Sequence, residues 1–120
     1  MNKTIATIVK AIANTNVYEV SYTVGYAGSV SKQYQRFKQL LSLATEEQLL
    51  DLASLNENAV VRLYAFQALK LKNLSISIAL REQFKNDQTV VMLLNSCLEN
   101  KMTINELAKQ NPQLFASVMQ

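Results

Sequence analysis

Residues 56–71 read N-E-N-A-V-V-R-L-Y-A-F-Q-A-L-K-L, and their apolar side chains recur at the spacing of an α-helix. On a helical wheel of about 100° per residue, one broad arc is apolar and consists of Val60, Val61, Tyr64, Ala65, Ala68 and Leu71. The opposite arc consists of Arg62, Gln67, Lys70, Leu63 and Phe66. A simple surface helix would keep apolar residues out of that arc. This helix therefore either contacts neighbours on two sides or displays an apolar strip beside Arg62.

A capping box begins the helix before this stretch. In Thr45-Glu46-Glu47-Gln48, the Thr hydroxyl can accept from the third helical N–H while the Gln48 side chain reaches back to the Thr amide. The apolar face of the helix consists of Leu49, Leu50, Leu52 and Ala53. The short turn Asn56-Glu57-Asn58 then leads into the second helix, so residues 46–71 are predicted to form a helical pair.

Two further helices are predicted nearer the N-terminus. Residues 4–13 form a short amphipathic helix that would cover one end of a helical stack, with an apolar face of Ile5, Ile8, Val9 and Ile12. Ser29 or Ser31 can cap the next helix through a side-chain oxygen. The apolar face of that helix begins with Val30, Tyr34, Phe37 and Leu41.

The pattern of residues 56–71 returns in part thirty residues later. Asn86-Asp87 corresponds to Asn56-Glu57, and Val90-Val91 corresponds to Val60-Val61. Before this echo, Asn73 or Ser75 can cap a helix that carries Ile76, Ala79, Leu80 and Phe84. Residues 74–78 could form a strand in isolation, but the repeat favours the helix. Asp87 can cap the echoing helix, whose inward side chains are then Val90, Leu94, Cys97 and Leu98.

The sequence L-x-x-L, a short turn with Asn, and then V-V-R-x-x-A-x-x-A-L resembles the HEAT repeat in its short form of about 30 residues. The clear unit covers residues 46–71, and a degenerate unit covers residues 75–98. The resemblance implies antiparallel helix pairs stacked into a solenoid, with second helices lining a partner-binding face. It also implies that Arg62 bonds to inter-helix turns. Met92 stands at the corresponding place in the second unit, so the arginine ladder of a long solenoid is missing.

We therefore predict an all-α fold, a short HEAT-like α-solenoid in which residues 1–120 form one domain. Because two repeats are too few to stand alone, helices at both ends must cover the stack. The C-terminal cover would begin at a second capping box, Thr103-Ile104-Asn105-Glu106. Asn111-Pro112 can begin a last helix. The apolar face of that last helix consists of Leu114, Phe115, Val118 and Met119.

Residues 14–29 have the weakest helical pattern. Val20, Tyr22, Val24 and Tyr26 alternate with small or polar residues, which is typical of a strand. Tyr18, Tyr22 and Tyr26 also share one helical face. Strand, loop and helix all remain open, and we favour an extended segment lying over the helices.

No arrangement of residues predicts catalysis. The chain has no His and one Cys, Cys97, which excludes Ser-His-Asp and Cys-His arrangements and the usual zinc sites. Ser29-Val30-Ser31-Lys32 matches the S-x-x-K motif of penicillin-binding enzymes, but the companion motifs are missing and the chain is too short for that fold. Helix capping by serine explains the match. We predict no enzyme activity, no cofactor and no metal.

The predicted function is binding of a protein or peptide partner. One candidate surface, the second-helix strip, consists of Arg62, Leu63, Phe66 and Lys70. The other, the tyrosine segment, consists of Tyr18, Tyr22 and Tyr26, since tyrosine is favoured at interfaces.

The alternative function is weak nucleic-acid binding by the basic N-terminal third. The net charge is +3, and residues 1–45 hold five basic residues against one acidic residue, Glu19. Lys32, Arg36 and Lys38 would make the contacts, although nucleic-acid-binding proteins usually cluster more charge on one face. No segment has the roughly 18 apolar residues of a membrane span, so we expect a cytoplasmic protein.

Overall fold

The structure is a computed structural model that describes residues 3–20, 23–24, 29–95 and 98–110. Its helices are α1 (Lys3–Thr15), α2 (Lys32–Leu43), α3 (Glu46–Leu55), α4 (Ala59–Lys72), α5 (Leu74–Phe84) and α6 (Ile104–Ala108). Its strands are β1 (Tyr18–Glu19), β2 (Thr23–Val24), β3 (Ser29–Val30), β4 (Val90–Asn95) and β5 (Leu98–Thr103).

Helix α4 is the centre of the fold. It packs against α1, α2, α3, α5 and α6. Nine of its side chains are buried, from Val60 to Leu69 with the exception of Arg62. Leu63 and Phe66 are buried on the side opposite the main apolar arc because α4 has neighbours on both sides. The first of the two sequence alternatives therefore holds for this helix.

Short polar side chains begin most of the helices, as their sequences predict. Both capping boxes form, with Thr45 and Gln48 at α3 and with Thr103 and Glu106 at α6. Of the alternatives left open, Ser31 caps α2 and Asn73 caps α5. These caps satisfy first-turn N–H groups that have no partner within the helix.

The prediction of an all-α solenoid is wrong, because the chain contains a three-stranded mixed sheet with the order β1-β4-β5. Strand β4 pairs antiparallel with β5, from Val90 opposite Thr103 to Asn95 opposite Leu98. Strand β1 pairs parallel with β4, with Tyr18 opposite Leu93. The described residues therefore give no sign of a HEAT repeat array.

The error lies in the second unit, at residues 75–98. Helix α5 forms there as predicted, but residues 90–95, predicted to begin the echoing helix, form β4 instead. Asp87 caps no helix; its carboxylate accepts from the Thr89 N–H at 2.9 Å. The run V-V-M-L-L-N suits a strand as well as a helix by composition. Partners on both edges, β1 and β5, decide the outcome through contacts distant in sequence.

Of residues 14–29, the first two belong to α1, and residues 18–19 and 23–24 are strands, in line with the favoured extended segment. Strand β1 belongs to the core and does not lie over it. Asn16 ends α1 in the left-handed region, with φ of 55°, a conformation that asparagine tolerates better than most residues. Strand β1 follows, and Tyr18 is 1% exposed. Strands β2 and β3 pair antiparallel with each other. The predicted last apolar face, at residues 114–119, lies outside the described residues.

Side chains bond to backbone groups on both outer edges of the three-stranded sheet. The backbone of Glu19 on β1 faces away from β4, and the Tyr64 hydroxyl accepts from its N–H at 2.8 Å and donates to its C=O at 3.0 Å. At the other edge, the Ile104 N–H donates to the Thr89 oxygen. In an antiparallel pair only every second residue bonds to the partner strand, so the backbone groups of Lys101 and Thr103 point away from β4. The side chain of Asn100 accepts from the Lys101 N–H at 2.8 Å, and that of Glu106 accepts from the Thr103 N–H.

Removing the Tyr64 hydroxyl tests how much β1 depends on it. The Tyr64→Phe variant leaves the buried N–H and C=O of Glu19 without their partner, while its ring keeps the same shape. We expect the free energy of unfolding to fall by about 1–3 kcal/mol. Urea denaturation followed by circular dichroism measures this change. A variant as stable as the wild type would contradict the role given to the hydroxyl.

The same variant is expected to change the alkaline behaviour of the protein. Burial raises the pKa of Tyr64 well above 10.0, and burial also raises that of Tyr18. Above pH 10 the unfolded state therefore loses protons that the folded state keeps, so stability falls as pH rises. Each such tyrosine lowers the free energy of unfolding by about 1.4 kcal/mol for every pH unit above 10. Because Tyr64→Phe lacks one of the two tyrosines, the difference in stability between wild type and variant should shrink above pH 10. A difference that stays constant from pH 8 to 11 would contradict this.

Candidate functional site

The apolar residues of the second-helix strip are not at the surface. Leu63 and Phe66 are both 0% exposed. The Phe66 ring lies edge-on to the ring of Phe84 on α5, with centroids 5.1 Å apart. Leu63 and Phe66 are core residues, so we do not retain them as partner contacts.

Arg62 of the same strip binds the turn that precedes its own helix. Its Nη1 donates to the carbonyl oxygens of Asn56 at 2.8 Å and Glu57 at 3.2 Å, and its Nη2 lies 3.4 Å from Asp87 Oδ2. Partial burial raises the pKa of Asp87, but hydrogen bonds from Thr89 and the charge of Arg62 outweigh it, so this pKa is lowered overall. Arg62 thus joins the α3–α4 turn to the loop after α5.

Lys70, the last residue of the strip, binds the C-terminal end of α6. Its Nζ donates to the carbonyl oxygens of Ala108 and Gln110 at 3.2 Å each, and it lies 5.0 Å from the centre of the Phe66 ring. Burial and the neighbouring charge of Arg81 lower the pKa of Lys70 to about 8. Gln67 also donates to α6, at the Leu107 and Gln110 oxygens.

Three cations of α4 therefore share one role, which the repeat resemblance implied for Arg62 and which sequence reasoning missed for Lys70 and Lys72. Lys72 donates to the Ala44 oxygen at the end of α2, as Arg62 does at the end of α3 and Lys70 does at the end of α6. Carbonyl groups in the last turn of a helix have no partner within it, and cations are favoured there. These cations hold the helices around α4 together.

Of the tyrosine segment, only Tyr18 is described. Its side chain is buried, with its ring centroid 4.9 Å from that of Tyr64, so it offers no contact surface. Tyr22 and Tyr26 lie outside the described residues, as does Cys97.

Of the S-x-x-K motif, the structure describes the side chains of Ser31 and Lys32. Ser31 is 0% exposed, and its hydroxyl donates to the buried Glu19 carboxylate at 2.5 Å while it accepts from the Tyr34 N–H. Lys32 is exposed to solvent. The Ser29 side chain lies outside the described part of the chain. Among the described residues, no three Cys, Asp or Glu side chains lie close enough together to hold a metal ion.

The structure brings together a groove that the sequence did not reveal. Its volume is about 240 Å³, and it lies between the start of α4 and the β4–β5 hairpin. It is lined by Asn16, Ala59, Val60, Val90, Val91, Met92 and Lys101. Val90 is 60% exposed, and the pairing of Met92 with Lys101 puts an apolar side chain opposite a cation. We call this site the hairpin groove.

The residues of the hairpin groove meet only because the hairpin exists. Lys101 and Met92 are neighbours through the strand register, and Asn16 reaches the groove because its side chain accepts from Asn58 Nδ2 at 3.0 Å, next to the start of α4. Predicting a β-hairpin at residues 90–103 from the sequence would have located the hairpin groove.

The chain matches no protein-family model and no curated protein. Within the part of the chain that the structure describes, no helix is long and apolar enough to cross a membrane.

Replacing Arg62 tests whether it is structural. The Arg62→Met variant loses three charged contacts but keeps most of the side-chain length, and we expect the free energy of unfolding to fall by about 1–3 kcal/mol. Lys85→Met is the matched control, since its ion pair with Glu82 is long, at 4.0 Å, and exposed, and should contribute little. Equal stability of the two variants would contradict the structural role.

The pH dependence of the Arg62→Met variant provides a second readout. Because the folded pKa of Asp87 lies below its unfolded value of 3.8, the contribution of Asp87 is complete well above that pH and is lost as pH falls through the folded pKa. The stability difference between Arg62→Met and wild type should therefore narrow below pH 4, as measured by urea denaturation. A difference that stays constant would show that Asp87 takes no part.

Proposed function

We propose that this protein is a non-catalytic binding module that recognises a peptide segment of a partner protein in the hairpin groove. The segment would place an apolar side chain in the groove and an acidic group at its rim. The observation that carries this proposal is the combination of an open, partly apolar hollow with Lys101 beside it and no carboxylate among its described lining residues.

The size of the hairpin groove favours a side chain over a larger ligand. Sites for drug-sized molecules and cofactors usually have volumes of about 300–1,000 Å³. At about 240 Å³ the groove is smaller than this range and suits one anchoring side chain. Val90, Met92 and Ala59 are among the apolar residues of its lining.

The charge around the hairpin groove favours an acidic group next to that anchor. Lys101 is exposed at the rim. The groove also lies at the start of the 14-residue helix α4, where the aligned peptide dipoles favour negative charge. Asn16 adds a side-chain amide. A carboxylate of the partner would meet donors here and no described acidic neighbour in the lining.

The rigidity of the hairpin groove supports binding by a preformed site. One wall belongs to α4, which is buried on most sides. The other wall belongs to β4, which pairs with β5 along its whole length, from Val90 to Asn95. The edge of β5 is a poorer docking place, because side chains already bond its outward N–H groups at Lys101 and Thr103.

Selection from a random peptide library displayed on phage tests this function. Enriched peptides should share an apolar residue next to Asp, Glu or a free C-terminus. Val90→Asp should weaken the binding of a selected peptide at least tenfold. The new carboxylate is polar where the apolar side chain of the peptide would lie, and it repels the acidic group of the peptide. Lys101→Gln should weaken binding less and should reduce the salt dependence of binding.

Leu98→Asp is the matched control, since Leu98 is an exposed apolar residue of the same hairpin outside the groove lining. It should leave the affinity of the selected peptide unchanged. Equal effects of Val90→Asp and Leu98→Asp would contradict the site, and a library that yields no common pattern would contradict the function.

A further inference from the structure

The outer faces of α1 and α2 form a second surface with a different chemistry. Both helices pack against α4 and against each other, so the faces they turn outward are adjacent. Neither helix contains an acidic residue. Four exposed lysines lie on these faces, which we call the basic face: Lys3, Lys10, Lys32 and Lys38.

The lysines of α1 lie on the side of the helix opposite its buried residues. Lys3 and Lys10 are seven residues apart, which puts them on one side of the helix two turns apart. The buried residues on the other side are Ile5, Ile8 and Ile12. The two ammonium groups therefore point in a common direction, away from the core.

The one acidic residue of the first 45 does not neutralise this face. Glu19 lies on β1, is 9% exposed, and accepts a hydrogen bond from the buried Ser31 hydroxyl. The sequence counts Glu19 against the five basic residues of this third, but its carboxylate is inside the fold. Arg36 is partly occupied, with Nη1 bonded to Thr15 and Gln33 at 2.8 Å each. Neither of the ion pairs found among the described residues involves any of the four lysines.

The side chains between the lysines indicate what kind of anion fits. Gln35, Gln39 and Ser42 are exposed on α2 and can donate hydrogen bonds. Such groups commonly contact phosphate and sugar oxygens in nucleic-acid complexes. The aromatic residues of α2, Tyr34 and Phe37, are buried, so neither can stack on a base. The basic face also lacks the apolar stripe that a helix needs to enter a lipid surface.

We propose that the basic face binds the phosphate backbone of a nucleic acid without reading its sequence. The contact is a second one, separate from the hairpin groove, and it does not depend on peptide binding there. Four lysine contacts predict a slope of about −3 to −4 for log K against log salt concentration on duplex DNA. Affinity should be measurable at low salt and should fall steeply towards physiological salt.

Fluorescence anisotropy with the full chain tests this proposal. The probes are two labelled DNA duplexes of unrelated sequence and labelled poly-glutamate, which stands for an acidic protein. We expect equal affinity for the two duplexes and weaker binding of poly-glutamate. Val90→Asp, which alters the hairpin groove, should leave duplex binding unchanged.

Two double variants of equal charge separate a specific face from net charge. Lys10→Gln with Lys38→Gln should lower the magnitude of the salt slope by about 2 and weaken low-salt binding at least tenfold. The matched control is Lys85→Gln with Lys109→Gln, which are exposed lysines on other parts of the fold. The control should keep the slope of the wild type, and circular dichroism checks that both variants fold.

Three results would overturn the proposal. One is the absence of duplex binding at low salt. Another is an equal loss in the two double variants, which would mean that net charge alone holds the probe. The third is binding of poly-glutamate at least as tight as that of the duplexes, which would identify an acidic protein as the ligand of the basic face.

Discussion

A pair of hydrogen bonds between the Tyr64 hydroxyl and the backbone of Glu19 fastens strand β1 to the central helix. Strand β1 has only two residues, and pairing with β4 satisfies only one of its edges. Its other edge is buried, where an unpaired N–H and C=O would each be costly. One hydroxyl from the central helix satisfies both groups. It thereby fixes β1 against α4, β1 in turn fixes β4, and the hairpin is held beside the start of α4.

Other polar residues of α4 act in the same way, by bonding to backbone groups where neighbouring helices end. A helix surrounded by neighbours must still accommodate the unpaired carbonyl groups where those neighbours end. Arg62, Lys70 and Lys72 reach such groups on α3, α6 and α2, so their charges serve the interior contacts of the fold. The two surfaces that we propose for partners lie elsewhere: the hairpin groove, with one lysine, and the basic face, with four. These two surfaces differ in shape and charge, which fits two unlike ligands.

Local sequence patterns located the helices and their caps well. The capping boxes at Thr45 and Thr103 and the periodic residues of α4 need only neighbours within a turn or two, and such signals can be read from one sequence. Residues 90–95 could not be read in this way. Val90, Leu94 and Leu98 fit a helix by spacing, and only pairing with residues 18–19 and 98–103 makes them strand. The hairpin groove could not be predicted for the same reason, because Met92 meets Lys101 only through that pairing. The basic face was underestimated because a charge count does not show that Glu19 is buried.

The three-stranded sheet, the hairpin groove and the departure from a repeat fold all require the β-hairpin at residues 90–103. Nuclear Overhauser effects between backbone protons test it directly. Met92 and Lys101 form a pair without mutual hydrogen bonds, in which the two Cα atoms approach to about 4.5 Å. A strong effect between the Hα protons of Met92 and Lys101 is the predicted result. Effects between residues three apart within 90–95, typical of a helix, would show that the hairpin does not form.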